Sequence, residues 1–528
     1  PLGDTLPGWV VERAGVIGLP DALREVHEPV NVFDAERGIA RLKFDEAFGM
    51  QLAMAARRAA LAGRTTTPRP RRDDGILAAF DASLPYRLTA GQEEVGQTLF
   101  EELASERPMH RLLQGEVGSG KTLVALRAML AVVDAGGQAA LLAPTEVLAK
   151  QHHASITSLL GGLGVAGTLE AHPQATQVAL LTGGLTAANR RRVRETVASG
   201  EAGIVIGTHA LLSEDVGFAD LGFVVVDEQH RFGVEQRAKL WSKSENPPHV
   251  LVMTATPIPR TLAMTIYGDL DVSIIDELPP GRKPIQTIHK YDDQMASLYS
   301  GIRQQINLGR QVYIVYPLIK ESERMDLKNL EDGFEAMQDI FPEFQLSKIH
   351  GKMKDKEKEA EMQKFVSGQT QILVATTVIE VGVNVPNASV MVILDAQRFG
   401  LSQLHQLRGR VGRGAEQSYC ILVTNHKLTK ETRKRIDIMC DTNDGFEIAE
   451  ADLKLRGPGD LEGTQQSGIA FDLKIADIAR DGQIVQMARE EAQKIIDDDP
   501  TCQKIEYNML WERLKALRKT NINWAAIS

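Results

Sequence analysis

Residues 115–122, Gly115-Glu116-Val117-Gly118-Ser119-Gly120-Lys121-Thr122, fit the pattern G-x-x-x-x-G-K-[ST]. They follow the apolar Leu112-Leu113 and precede Leu123. A strand, a Gly-rich turn and a helix N-terminus in that order make an anion cradle from backbone N–H groups and the helix dipole. Gly115, Gly118 and Gly120 let the backbone approach phosphate oxygens, with Ser119 inside the cradle. Lys121 brings a point charge to β and γ oxygens, and Thr122 offers a hydroxyl to Mg2+. Such a cradle needs an acid at the end of a buried strand. Phe223-Val224-Val225-Val226 is an apolar run, and Asp227-Glu228-Gln229-His230 ends it. Asp227 is expected to hold Mg2+ and Glu228 to orient and activate an attacking water. Gln92, shortly after Leu84-Pro85-Tyr86-Arg87-Leu88-Thr89, carries an amide whose donor and acceptor match an adenine edge. Together these residues predict ATP and Mg2+ as cofactors.

A second basic motif lies far downstream, Gln403-Leu404-His405-Gln406-Leu407-Arg408-Gly409-Arg410-Val411-Gly412-Arg413-Gly414. A fixed guanidinium fork can neutralise charge on a transferred phosphoryl group, and Arg410 and Arg413 are the candidates. Thr145, in Ala143-Pro144-Thr145-Glu146, and Thr208-His209, in Gly207-Thr208-His209-Ala210, fall at expected strand ends. There, hydroxyl and backbone groups can hold a nucleic-acid backbone.

These residues need a scaffold that brings distant strand ends together. From residue 84 to 275, short apolar runs at 139–143, 178–181, 204–206, 223–226 and 250–253 alternate with helical stretches. The pattern restarts after Pro284, with runs at 311–316, 372–375, 390–394 and 420–423. This is the βαβ rhythm of parallel sheets covered by helices on both faces. Residues 1–65 read as helical, and 64–74, with Pro68, Pro70 and four Arg, as an exposed, solvated arm. The last hundred residues read as helical and charged, interrupted by a Gly-rich loop at 456–468.

The chain of 528 residues is too long for one core. The expected division is 1–80, 81–278, 279–430 and 431–528. No stretch of about 18 apolar residues predicts a membrane span. The start, which lacks Met, does not resemble a signal peptide and suggests a processed or truncated chain. Cys420, Cys440 and Cys502 have no metal spacing and read as free thiols of a reducing cytoplasm. The net charge of −10 argues against a protein coated in nucleic acid, but a local basic track needs only a few placed Arg and Lys. Up to Arg282 there are 5 Lys and 22 Arg, and beyond it 19 Lys and 14 Arg, a shift that fits a junction of two parental sequences near 270–283.

The order of these motifs resembles superfamily 2 nucleic-acid motors, and more closely the RecG-type ATP-dependent DNA helicases. The resemblance is carried by 118–122, by Asp227-Glu228-Gln229-His230-Arg231-Phe232-Gly233-Val234, and by 253–260, 377–386 and 398–414. Residues 444–468 resemble the translocation motif that the family shares with the transcription-repair coupling factor Mfd. Two residues depart from the family pattern: Glu116 stands where Asp is usual, and Gln465 where Arg is common. Residues 19–29 resemble the linker after the family's N-terminal wedge, and the wedge itself is expected to be missing.

The resemblance implies an α/β fold: two tandem RecA-like parallel-sheet motor domains, a helical N-terminal linker and a helical C-terminal translocation module. It implies that Thr254 and Thr256 link hydrolysis to movement, that His350, Thr376 and Thr377 touch the tracked strand, and that Arg435, Arg456 and Gln466 couple cleft closure to stepping. It also implies a cytoplasmic, nucleoid-associated monomer acting on double-stranded and branched DNA, with single-strand-binding protein as a further partner and no membrane. An Mfd-like motor working with RNA polymerase is the competing enzyme reading, though Gln229 stands where that family has Glu. An ATP-gated DNA-binding scaffold is the alternative of another class.

Overall fold

The computed structural model describes residues 3–62, 65–168, 171–213, 215–227, 246–255, 257–259, 263, 270–277, 283–317, 323–376, 385–412, 414, 416–456, 474–477 and 480–521. It divides into two compact units. One comprises residues 1–115, 120–275 and 456–528; the other comprises 116–119 and 276–455.

The first unit holds a seven-stranded sheet of order β3-β4-β2-β5-β6-β1-β7 among the described residues. Its strands are β1 (His110–Gly115), β2 (Gln138–Leu142), β3 (Gln177–Leu181), β4 (Ala202–Gly207), β5 (Leu221–Asp227), β6 (His249–Thr254) and β7 (Asp271–Ile275). Every pairing is parallel. The second unit holds β8 (Gln286–Tyr291), β9 (Gln311–Tyr316), β10 (Leu346–Ile349), β11 (Ile372–Thr376), β12 (Ala388–Ile393) and β13 (Tyr419–Thr424). Their order is β10-β11-β9-β12-β13-β8, again parallel throughout. Both are RecA-like parallel sheets, as the sequence predicts.

The central strands read as unbroken apolar runs because both faces are covered, so no polar alternation is tolerated. Three strands escaped the sequence reading: β7, β8 and β10. Each is an edge strand. One side meets solvent, and their sequences, DVSII, QTIHKY and LSKI, mix polar with apolar residues.

The helices at the two extremes of the sequence share one core. The long helix Val32–Ala62 packs its Phe44, Phe48 and Leu52 against Val485, Ile495 and Trp511 of the helices Gly482–Asp498 and Asn508–Asn521. Ion pairs Lys43–Asp481 at 2.8 Å and Arg513–Asp45 at 2.7 Å flank that core. The Glu46 carboxylate accepts the backbone N–H groups of Lys474, Ile475 and Ala476 at 2.7–2.9 Å. Helices Lys430–Asp441 and Gly445–Arg456 contribute Ile436, Met439 and Ile448 to the core of the second unit, whereas 482–521 joins the N-terminal helix.

The arm is mostly exposed, as expected, but Thr66 and Arg69 are buried. Thr66 donates its N–H to Glu106 O at 2.8 Å and Arg69 to Leu103 O at 2.6 Å, so the segment is strapped along the first unit. Arg69 is only 4% exposed. It pairs with Asp220 at 2.5 Å and donates to Ala135 O at 3.2 Å, beside Gly222, where a Cβ would crowd its guanidinium. Arg71 lies over the Phe100 ring at 5.2 Å, and Arg72 pairs with Asp74. The partners of Thr66, Arg69 and Arg71 are remote in sequence, so local composition reads only the charges. Among the described residues, no helix is long and apolar enough to cross a membrane.

Arg41, fully buried, donates to Asp4 at 2.6 and 2.8 Å and to Ile17 O at 2.7 Å. Burial acts to raise the Asp4 pKa, but bonds from Arg41 and from the Leu6 and Leu19 amides outweigh it and hold the carboxyl at about 2. The folded pKa lies below the ordinary 3.8, so this stabilisation is complete above that value and disappears as the pH falls towards 2. Asp4→Asn is therefore expected to cost about 2 kcal/mol at neutral pH, read from denaturant unfolding, with the difference from the parent chain vanishing near the lower pKa.

Candidate functional site

Parallel pairing sends every strand of a sheet out at the same edge. In the first unit that edge collects Gly115 at the end of β1, Thr145 after β2, Thr208 after β4, Asp227 at the end of β5 and Thr254 at the end of β6. In the second it collects Thr376 at the end of β11 and His350 after β10. Carboxyl edges of such sheets are where ligands sit.

The turn after β1 needs two left-handed residues, Gly118 at φ 82° and Gly120 at φ 89°. Gly120 caps helix Lys121–Asp134, and a Cβ on it would collide with the Gln92 amide. Lys121 is buried, and its Nζ donates to Gly115 O at 2.6 Å, which folds the side chain back across the turn. The helix behind the turn is fixed by Arg127, which pairs with Asp81 at 2.7 and 2.8 Å. Asp134 caps the neighbouring helix Ile76–Ser83 by accepting the Ile76 and Leu77 N–H groups.

Gln92 sits on helix Ala90–Leu103, against the turn, and is 4% exposed. Its Oε1 accepts the Thr89 N–H at 3.1 Å, and Thr89 Oγ1 accepts the Gln92 N–H at 3.3 Å. This capping box fixes the amide, so its oxygen is engaged locally while its nitrogen faces Gly120. Tyr86 is exposed.

Asp227 ends β5, separated from β1 only by β6. Its Oδ2 lies 2.6 Å from His152 Nε2. The sequence reading passed over His152. The available signal was its place seven residues after Thr145, two turns along one helix face. Helix Glu146–Leu160 begins at Thr145, whose Oγ1 accepts the Leu148 N–H at 3.3 Å. The Thr145 hydroxyl, expected to meet a nucleic-acid backbone, thus also serves as a helix cap. Next to it, Glu146 Oε1 accepts the Gly184 N–H at 2.9 Å. Thr208 precedes the 3-10 turn His209–Leu212 and makes no capping bond.

Thr122 and Asp227 offer hydroxyl and carboxylate oxygens, the donor set of a hard divalent ion that keeps several waters. With Lys121 beside Thr122 on the same helix N-terminus, these residue types fit Mg2+ bound to a polyphosphate.

In the second unit the basic motif separates into a buried anchor, Arg408, and a half-buried Arg410. Arg408 is 2% exposed and donates to Met439 O at 2.9 Å, Thr442 O at 2.8 Å and Thr287 Oγ1 at 3.2 Å. It ties helix Leu401–Arg408 to helix Lys430–Asp441. Arg410, two residues on, is half-buried, and its N–H donates to Leu407 O at 3.0 Å. Gly412, at φ 79°, turns the chain against Ile285. Burial, with Arg408 nearby, holds His405 neutral at a pKa of about 4.

Arg435 donates to Phe399 O at 2.9 Å and Thr432 Oγ1 at 3.1 Å, fixing the loop that leads into helix Leu401–Arg408. Thr376 Oγ1 and His350 Nδ1 are buried with no hydrogen-bond partner among the described residues. Burial, then the Lys348 charge, lowers the His350 pKa. Glu228, Thr256, Thr377, Arg413 and Gln466 lie outside the described residues, as do the side chains of His209 and Arg456.

Three family descriptions match successive parts of the chain. Residues 90–265 match the DEAD/DEAH box helicase family, 293–415 the helicase conserved C-terminal domain, and 442–528 the ATP-dependent DNA helicase RecG, domain 3, C-terminal. The chain is 46% identical to the ATP-dependent DNA helicase RecG of Synechocystis sp. over 97% of its length, covering 61% of that protein. It is 45% identical to that of Bacillus subtilis, again over 97% of its length, covering 74% of the relative. A solved structure of RecG bound to a three-way DNA junction is 39% identical, with a TM-score of 0.74, over 92% of this chain and 62% of that one. The chain thus spans about three fifths of the Synechocystis and Aquifex aeolicus relatives. On the identity to proteins of which it covers more than two thirds, the chain belongs to the family of RecG ATP-dependent DNA helicases.

Proposed function

We propose that the chain is an ATP-driven motor that translocates on double-stranded DNA and acts at branched DNA, such as replication forks and Holliday junctions, in recombination and repair. The observation that carries the reading is the shared carboxyl edge of the first sheet, where the turn of 115–122 and the acid Asp227 emerge with β6 between their strands. The junction-bound RecG structure supports the choice of DNA.

In this reading the backbone N–H groups of 118–122 bind the ATP phosphates, and Lys121 neutralises their β and γ oxygens. Thr122 and Asp227 hold Mg2+, which draws charge from those oxygens. Glu228 orients and deprotonates the attacking water. Arg410 and Arg413 neutralise the charge that builds on the transferred group. Gln92 sits beside the adenine. Thr145, Thr208, His209, His350, Thr376 and Thr377 line the backbone of the tracked strand, and Thr254 and Thr256 link hydrolysis to movement. Arg435, Arg456 and Gln466 couple hydrolysis to stepping. A monomer in the bacterial cytoplasm, meeting single-strand-binding protein at forks, completes the proposal.

The deciding experiment is ATPase without DNA, with single strands, with linear duplex and with forks. DNA-stimulated turnover is expected; its absence would leave an ATP-gated scaffold. Lys121→Ala and Glu228→Gln should each lower turnover by about 10²–10³-fold or more, because each removes a group that stabilises or drives the transition state. An active Glu228→Gln chain would remove that residue from the mechanism. Arg410→Ala should lower turnover by about 10³-fold or more with little change in ATP affinity, since its contact strengthens in the transition state. Loss of affinity alone would contradict the finger role. Gln466→Ala should keep DNA-stimulated ATPase yet fail to displace a triplex strand from duplex; undiminished displacement would mean that the residue does not couple.

A further inference from the structure

Helix Glu146–Leu160 touches several strand-end loops of the first unit at once. At its start Thr145 caps it and Glu146 holds the Gly184 N–H. Two turns on, His152 reaches Asp227 at 2.6 Å, and both side chains are mostly buried, 13% and 15% exposed. The next residue, His153, meets Val178 O of β3 at 3.3 Å. An ionised carboxylate only accepts hydrogen bonds, so His152 Nε2 carries the hydrogen and donates to Oδ2.

A carboxylate that holds a metal ion directly or through water must point one oxygen at it. Mg2+ tolerates little departure from octahedral geometry. Asp227 stands at the last position of β5, where the ladder fixes the backbone but leaves the side chain free to rotate. A donor on one oxygen removes that rotation and aims the other.

We propose that His152 is a positioning residue for the magnesium site: by holding Oδ2 of Asp227 it orients that carboxylate, and through helix Glu146–Leu160 it ties the acid to the strand-end surface at Thr145, Glu146 and Gly184. This rests on the nucleotide-binding reading above. It adds a residue to that reading and gives a physical route by which DNA at the strand ends alters magnesium–nucleotide binding.

The test titrates a fluorescent, non-hydrolysable ATP analogue into the full chain, in magnesium and in EDTA, with and without duplex DNA. His152→Ala is compared with His152→Gln, whose Nε2 amide group reaches the position of the ring Nε2. Removing an outer-shell partner of a metal ligand typically costs about 10–100-fold in metal affinity. His152→Ala should therefore need about that much more magnesium for half-maximal nucleotide binding. Its affinity in EDTA should be unchanged, and its response to DNA should be reduced. His152→Gln should restore the magnesium dependence, and it also stands in if His152→Ala does not fold. A purely structural bond would lower affinity equally in magnesium and EDTA, and that result overturns the proposal. So does a His152→Ala chain that matches wild type, or a folded His152→Gln chain without rescue. If wild type itself shows no magnesium-dependent binding, the nucleotide reading has failed; if it does and His152→Ala behaves identically, only the role of His152 has.

Discussion

Parallel strand pairing is the constraint from which the rest follows. Consecutive parallel strands cannot be joined by a tight turn, so each must return through a crossover, and the crossover helices cover both faces. Every strand then leaves its sheet at the same edge, and residues more than a hundred positions apart meet there without a dedicated contact between them. Gly115 and Asp227 emerge on strands separated only by β6. The chemistry depends on that register more than on any single bond. A shift of β5 against β6 would carry Asp227 out of line with the turn after β1 even with every side chain intact.

This also explains what was legible in the sequence. Central strands are buried on both faces and announce themselves as runs such as Phe223-Val224-Val225-Val226. The edge strands β7, β8 and β10 are half-wet, and their mixed composition carries no comparable signal. The turn at 115–122 was legible because its left-handed positions demand glycine, a requirement that local backbone sterics impose. His152 shows in the sequence only as a residue on the helix face of Thr145; its role is defined by Asp227, which is 75 positions away. Nothing in the local pattern of a helix marks one imidazole as facing a carboxylate.

Arginine shows the same division. The motif at 403–414 contains three arginines of similar appearance, yet Arg408 spends its donors on the carbonyl oxygens of Met439 and Thr442 inside the core. Arg69, expected to be in water, lies buried against Asp220. Arg435 closes on Phe399 O. A guanidinium offers five donors in a rigid plane, so it serves equally to bind phosphate and to gather orphaned carbonyls. Sequence reports the group; only the fold reports which acceptors it finds.

The core shared by the Val32–Ala62 and Gly482–Asp498 helices bears on how the chain is made. Lys43 and its partner Asp481 are 438 positions apart. At ribosomal speeds of about 5–20 residues per second, roughly 20–90 s separate the synthesis of the two. Until then Phe44, Phe48 and Leu52 have Leu6 and Val10 beside them but lack Val485, Ile495 and Trp511, while the first sheet, complete by Ile275, can already assemble. The nascent chain therefore carries this helix with an incomplete core for most of its synthesis, and the segment can reach its native packing only after 482–521 has been made.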